Sequence, residues 1–240
     1  QHTITNNGTL TIVDTSAAKS GTVDNVTHAK GAIVNYGVTV LNGGTFERSQ
    51  EKGTYSPYGN GGNSWYTIAN YGKMEINAGV TVYNNGSYSS MIRNGGEGPD
   101  ASTLTINGGT FSGGINTVKN DEAGVLVING GNFSNTAQYV IMNWHKTTIN
   151  NGTFETLESA EAVLFSSNLG GDAGAATSAG ELTITGGTFK RATNTQKMIV
   201  DAYDANNTGT ASISGGTFDA DVSQYLESGK QQNADGSVGN

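Results

Sequence analysis

The sequence predicts an all-β fold, a right-handed parallel β-helix (β-solenoid) of about eight coils. Three observations support this prediction. A phrase of the type LTINGGTF returns along the chain, its apolar and polar positions alternate as in a strand, and 240 residues contain 36 glycines but only 2 prolines. A phrase repeated at such spacing is typical of stacked coils. Clear copies lie at 104–111, 127–133, 148–154, 182–189 and 212–218, and weaker copies at 10–12, 38–46 and 74–82.

The spacing of the copies predicts coils of unequal length. Aligning each copy on its central apolar residue gives Ile12, Val40, Ile76, Ile106, Ile128, Ile149, Ile184 and Ile213. The steps between them are 28, 36, 30, 22, 21, 35 and 29 residues. The two shortest steps indicate the minimum coil, so the longer ones indicate inserted loops. The 36-residue step contains the longest insertion, residues 47–66.

A second phrase, typified by IVNYG at 33–37, precedes most copies and places an asparagine at a turn in each coil. We interpret this column as an inward ladder in which side-chain amides bond from coil to coil, since asparagine satisfies local backbone groups at turns. The alternative is a ligand site. The predicted ladder residues are Asn6, Asn35, Asn70, Asn94, Asn120 and Asn143.

Two apolar columns are expected to form the core, because equivalent residues of successive coils lie about 4.8 Å apart. One is the aliphatic column of the alignment, and the other consists of Phe46, Phe111, Phe133, Phe154, Phe189 and Phe218, each at a corner opened by glycines. An exposed column of Thr11, Thr39, Thr105, Thr148, Thr183 and Ser212 is expected on the outside. Threonine suits exposed strand positions, and that explanation is preferred over an ice-binding array.

The sequence SISGGTFDADVSQYLESGKQQNADGS, at 212–237, resembles the end of the repeat region in exported surface proteins of gut Firmicutes. Asp221, Val222, Ser223, Tyr225 and Leu226 match the DVS-x-YL phrase that closes such arrays. The resemblance implies a parallel β-helix, extracellular or cell-wall display and an adhesin-like role, and it brings no catalytic residues. We therefore expect a β-helix over 1–218, a C-terminal cap and tail over 219–240, and a monomeric segment of a larger surface protein.

Composition and charge argue against several function classes. The net charge is −8 and the 12 basic residues are scattered, so nucleic-acid binding is not expected. No run of 18 apolar residues occurs, so membrane insertion is not expected either. The chain has no cysteine, which excludes disulfides and cysteine-ligated zinc. We expect no cofactor and no metal.

Catalysis finds little support in the sequence. None of His2, His28 and His145 lies in a pattern with an acid and a nucleophile. Lyases and glycosidases built on β-helices need clustered carboxylates, or Ca²⁺ with a basic residue, on one outward face. Here Arg93 and Lys119 occupy equivalent positions without an acidic cluster in the pattern. No catalytic residue is predicted.

Aromatic residues are the best candidates for ligand binding, because exposed tyrosine and tryptophan bind sugar faces or anchor protein interfaces. Four lie in the 47–66 insertion, and three follow ladder asparagines and are expected to point outward. Tyr36 and Tyr71 are expected to stack in neighbouring coils. The alternative is that the aromatics of the insertion fold back onto the coil. The candidates are Tyr36, Tyr55, Tyr58, Trp65, Tyr66, Tyr71 and Trp144.

The leading functional expectation is a noncatalytic, adhesin-like module, extracellular or on the cell surface, that binds a host protein or glycan through its loops. One alternative is a carbohydrate-active β-helix, or the carbohydrate-binding part of one. The second alternative is a passive stalk. The repeat encodes stacking and identifies no ligand.

Overall fold

A computed structural model describes residues 1–27, 30–49, 65–84, 86, 88–95, 102–135, 137–168 and 180–240. Three parallel sheets, each of eight strands, run along its length, and each coil contributes one strand to each sheet. Every strand in these sheets pairs with its counterpart from the neighbouring coil. The predicted parallel β-helix of eight coils is therefore confirmed.

The first strand of each coil ends at or next to the ladder position and forms what we call the Asn sheet. The pairing keeps the asparagines in register, for example Asn35 with Asn70 and Asn94 with Asn120. The strands of the Asn sheet are Ile4–Asn6, Ile33–Asn35, Ile68–Asn70, Ile92–Asn94, Asn116–Asn120, Tyr139–Asn143, Ala162–Ser166 and Lys197–Val200.

The second strand of each coil forms the Ile sheet, where the structure corrects one register. Leu41, not Val40, pairs with Ile12 and Ile76, so Val40 lies in the outward column beside Thr11 and Glu75. Thr39, predicted to be exposed, is fully buried. The strands of the Ile sheet are Thr9–Val13, Val38–Asn42, Lys73–Ile76, Thr103–Ile106, Val125–Ile128, Lys146–Ile149, Glu181–Ile184 and Thr210–Ile213.

The glycine–threonine–phenylalanine segment, predicted as a corner, is a third strand, and these strands form the Phe sheet. Its phenylalanine points inward while the preceding threonine, as at Thr110, faces outward. The sheet's outward threonine column was missed by the sequence analysis. The strands of the Phe sheet are Thr22–Asp24, Gly44–Arg48, Val80–Asn84, Thr110–Gly113, Asn132–Asn135, Thr153–Thr156, Thr188–Lys190 and Thr217–Phe218.

One continuous core runs down the axis of the coil. The stacked rings of Phe111, Phe133 and Phe154 have centroids 4.6 and 4.9 Å apart and are nearly parallel. The column continues through Phe189 to Phe218. Val82 takes the place of a phenylalanine in the third coil, between Phe46 and Phe111. Since one coil cannot bury these side chains alone, stacking stabilises the fold.

Residues after Phe218 lie against the last coil. Val222 is fully buried, and a 3₁₀ turn, Ser223–Tyr225, follows it. Leu226 then forms a parallel bridge with Ile213. A hairpin of Gln231–Gln232 and Val238–Gly239 completes this end, and a second hairpin, Ala202–Asp204 with Asn207–Thr208, is inserted in the eighth coil. This C-terminal segment covers strand edges that would otherwise be open.

Candidate ligand-binding face

Asparagines at the turn of the first six coils position the residues that follow them. Each ladder Nδ2 donates to the Oδ1 of the next coil, as in Asn35 to Asn70 at 2.8 Å and Asn70 to Asn94 at 2.7 Å. The same bonding joins Asn6, Asn94, Asn120 and Asn143 to their neighbours, and the ladder ends on Ser166. All six asparagines are buried. The ladder therefore holds the coil together and presents no amide to a ligand.

The residue after each ladder asparagine begins a column on the outside, which we call the flank column. In the second to seventh coils, the backbone N–H of this residue donates to the ladder residue's carbonyl in the preceding coil, as in Tyr36 to Asn6 and Tyr71 to Asn35, both at 2.8 Å. This bond fixes the position of these residues along the axis of the β-helix. The column consists of Asn7, Tyr36, Tyr71, Gly95, Asp121, Trp144 and Ser167.

Tyr36 and Tyr71 stack against each other on the outside of the coil. Their ring centroids are 5.3 Å apart and their planes differ by 21°. Tyr36 keeps 52% of its surface exposed, whereas Tyr71 is half-buried. The pair therefore behaves as predicted for neighbouring coils and offers one large exposed ring.

Arg93 lies on the other face of this pair. Its guanidinium carbon is 5.5 Å from the Tyr71 ring centroid and 5.3 Å from that of Tyr66, and its Nη1 donates to the Tyr71 hydroxyl at 3.3 Å. Cations are attracted to aromatic faces at such distances. The flank-column residue of this coil is Gly95, which has φ of +93° and brings no side chain to the space beside Tyr71. A Cβ there would lie 2.6 Å from the carbonyl oxygen of Glu122.

Asp121 anchors the cations of this face. Its Oδ2 lies 2.9 Å from Arg93 Nε and 3.0 Å from Lys119 Nζ, and its side chain is only 6% exposed. Burial lowers the pKa of Arg93, but the nearby Tyr66, Asp121 and Tyr71 outweigh it, so the pKa is raised overall. The guanidinium thus stays charged, and Asp121 offsets part of the positive charge.

Trp65 and Tyr66 lie partly folded against the coil. The Trp65 ring is 5.3 Å from that of His2 and 5.6 Å from that of Tyr66, and its Nε1 is buried without a hydrogen-bond partner among the described residues. Both residues are half-buried. Burial is the main cause that lowers the pKa of His2. Trp65 and Tyr66 are therefore neither fully exposed for binding nor fully folded back onto the coil. Tyr66 contacts the candidate face because Arg93 lies over its ring.

Trp144 points away from the main core, as expected, but it is buried and does not join the candidate face. Only 4% of it is exposed, because its ring packs against Phe165 at 4.7 Å and Tyr203 at 5.7 Å. Phe165 occupies an outward position of the seventh coil, and the hairpin of the eighth coil supplies Tyr203. The neighbouring His145 has a pKa lowered mainly by burial.

Three residues of interest, Tyr55, Tyr58 and His28, lie outside the described residues. Among those described, no cluster of three or more metal-ligating side chains occurs. No helix among the described residues is long and apolar enough to cross a bilayer.

A second asparagine ladder, exposed to solvent, was missed. Each member donates to the asparagine of the preceding coil at 2.8 Å, as in Asn77 to Asn42 and Asn107 to Asn77. Asn129 and Asn150 continue it, and Thr185 donates to Asn150 at its end. The signal was available, because an asparagine directly follows the inward residue of the phrase at Leu41, Ile76, Ile106, Ile128 and Ile149.

Arg93 and Asp121 were also not recognised as parts of the site. Arg93 was noted only for its alignment with Lys119, and Asp121 is one of several acids that follow no pattern. Tyr71, Gly95 and Asp121 follow ladder asparagines in successive coils, and the glycine leaves space between the other two. This pattern is the sequence signal that could have connected Asp121 with the tyrosine pair. No family model, curated protein or solved structure matches this chain.

Proposed function

We propose that this chain is a noncatalytic, extracellular binding module, adhesin-like in role, that contacts a host protein or glycan through the face formed by Tyr36, Tyr66, Tyr71 and Arg93. The observation behind the proposal is the exposed ring of Tyr36, supported from behind by Tyr71. Large exposed aromatic rings are common anchors of binding surfaces.

The face is also preorganised. Asp121 holds Arg93 by a hydrogen bond of 2.9 Å, Arg93 lies over Tyr71, and Tyr71 stacks on Tyr36. Side chains that are already ordered lose less conformational entropy when a ligand binds. A surface of this kind is more than a passive stalk requires, which favours binding over the stalk alternative.

The test is a glycan array together with a pull-down from host secretions, using the wild-type chain, Tyr36→Ala and Tyr36→Phe. We expect Tyr36→Ala to lose the captured ligand and Tyr36→Phe to keep it, because the ring provides the contact. Tyr203→Ala is the matched control, since Tyr203 is 62% exposed but lies in the eighth coil, at the other end of the β-helix from Tyr36. Equal capture by wild type and Tyr36→Ala would contradict the proposed site. A chain that captures nothing would favour the stalk.

A further inference from the structure

We infer that the ligand of this face is a neutral pyranose ring of a glycan, stacked on the outer face of Tyr36 beside Thr5 and Asn7. This inference rests on the proposed function and specifies its ligand class. It follows from the order of the stack, from the residues of the first coil next to Tyr36, and from where the charge of the face lies.

Among the residues that the structure describes, the stack has one free end. Arg93 covers one face of Tyr71, and Tyr36 covers the other. The remaining face of Tyr36 points toward the first coil, where the flank-column residue is Asn7. Neighbouring coils are about 4.8 Å apart, which is close to the spacing of stacked rings. Asparagine is too short to cover a phenol ring, so the described residues leave a ring-sized position open beside Tyr36.

Thr5 borders the same position. It pairs with Val34, and the register continues through Ala69 to Arg93, so Thr5 is the counterpart of Arg93 in the first coil. At the position in the coil that Arg93 occupies beside Tyr71, the first coil thus has only the short hydroxyl side chain of Thr5. Thr5 and Asn7 are both exposed, and neither side chain has a hydrogen bond to another described residue.

These groups match a neutral sugar. One face of a pyranose consists of C–H groups that stack on an aromatic ring, and its hydroxyls at the rim need uncharged donors and acceptors. A threonine hydroxyl supplies one donor and two acceptors, and an asparagine amide supplies both kinds of group. The nearest cation of the stack, Arg93, lies beyond Tyr71 and is paired with Asp121. An acidic ligand would find no free partner in the stack, and an aromatic peptide side chain would leave the rim groups unused.

The test uses saturation-transfer NMR and titration of the whole chain with methyl hexopyranosides and neutral oligosaccharides, with sialylated and sulfated glycans and an aromatic peptide as comparison probes. The blocking variant is Thr5→Arg, which adds a long, charged side chain in the first coil, beside the open face of Tyr36. Its matched control is Thr110→Arg, an exposed threonine on the Phe sheet. Circular dichroism and thermal unfolding establish that each variant is folded.

We expect neutral sugars to bind wild type, Tyr36→Phe and Thr110→Arg alike, and to bind Thr5→Arg and Tyr36→Ala about tenfold more weakly or worse, as for loss of a central aromatic anchor. Binding that depends on Tyr36 but tolerates Thr5→Arg would overturn the docking position and leave the proposed function standing. Tyr36-dependent binding of charged glycans or the peptide alone would overturn the ligand class. Binding independent of Tyr36 would overturn both proposals.

Discussion

Asp121 accepts a hydrogen bond from Arg93 Nε at 2.9 Å and thereby fixes a cation against the tyrosine stack on the outside of the coil. One coil lies between the coils of Tyr71 and Asp121, so a residue that no ligand need touch determines how the exposed ring is supported. The order of the candidate face therefore depends on contacts that pass from coil to coil, from Asp121 through Arg93 and Tyr71 to Tyr36.

Asp121→Ala is expected to lower the free energy of unfolding by about 1.5–3 kcal/mol, because it removes a nearly buried, charged hydrogen bond. Urea denaturation measures this change. Glu155→Ala is the control, because its ion pair with Lys190 is about half exposed on both sides and should contribute at most about 1 kcal/mol. Equal losses in the two variants would show that burial of the Arg93–Asp121 pair adds nothing.

The two asparagine ladders offer a matched comparison. Asn94→Ala removes the bonds of a fully buried amide to Asn70, Asn120 and the Val125 carbonyl, so we expect a loss of about 2–4 kcal/mol. Asn107→Ala breaks similar amide bonds in the exposed ladder, where water replaces them, and should cost under about 1 kcal/mol. Denaturant titration of both variants measures the difference. Similar losses would contradict the assignment of the buried ladder as the stabilising one.

Gly37 and Gly8 occupy the same turn in neighbouring coils but have different surroundings. A Cβ at Gly37 would lie 2.1 Å from the carbonyl oxygen of Gly8, whereas one at Gly8 would meet nothing within 4 Å. Gly37→Ala must push two coils apart and should cost about 3 kcal/mol or more, above the usual range of 1–3 kcal/mol for overpacking. Gly8→Ala should be nearly neutral. Thermal unfolding of the two variants measures these costs. A Gly37→Ala variant as stable as wild type would mean that the coils separate easily at this turn.

The raised pKa of Tyr225 leads us to expect a loss of folding stability at high pH. Burial, followed by the charge of Asp201 and the hydrogen bond that Tyr225 donates to it at 3.1 Å, raises the phenol pKa from 10.0 to about 12. The unfolded phenol ionises first, so this contribution is complete below pH 10 and is lost as the pH rises toward 12. Two pKa units correspond to at most about 2.7 kcal/mol, and partial exposure reduces this to about 1 kcal/mol.

Urea titrations at about pH 8, below the unfolded pKa, and at about pH 11.5, between the unfolded and folded pKa values, measure this loss. The wild-type chain should lose about 1 kcal/mol more than Tyr225→Phe between the two conditions, because the variant has no phenol to ionise. Taking the difference between two pH values removes the constant effect of the lost hydrogen bond. Identical pH dependence in both chains would mean that burial and Asp201 do not raise the phenol pKa in the folded chain.

The repeated phrase predicted the coils, the aliphatic column and the stacked phenylalanines, because these depend on a local pattern that recurs in every coil. The register at Val40 failed because Val38, Val40 and Leu41 are all apolar, so alternation does not distinguish the inward face there. The pairing of Leu41 with Ile76 settles it through the neighbouring coil. The third strand was missed because its glycines resemble a turn.

The candidate site was only partly predictable for the same reason. Stacking of Tyr36 on Tyr71 follows from equal positions in adjacent coils. The burial of Trp144 depends on Phe165, whose coil has lost the repeated phrase, and on a hairpin that the repeat does not contain. The role of Arg93 depends on contacts across three coils. Such relationships arise from the packing of insertions and non-repeating residues, which a repeat pattern does not encode.

The buried ladder donates toward the C-terminal end of the coil, and the exposed ladder donates toward the N-terminal end. Dipoles aligned head to tail add along an axis, whereas antiparallel rows oppose each other. Each coil that contains both asparagines therefore adds two side-chain dipoles of opposite sense. Duplicating or deleting such a coil would therefore leave the net dipole of the two ladders nearly unchanged, so the ladders themselves build up no large dipole as coils are added.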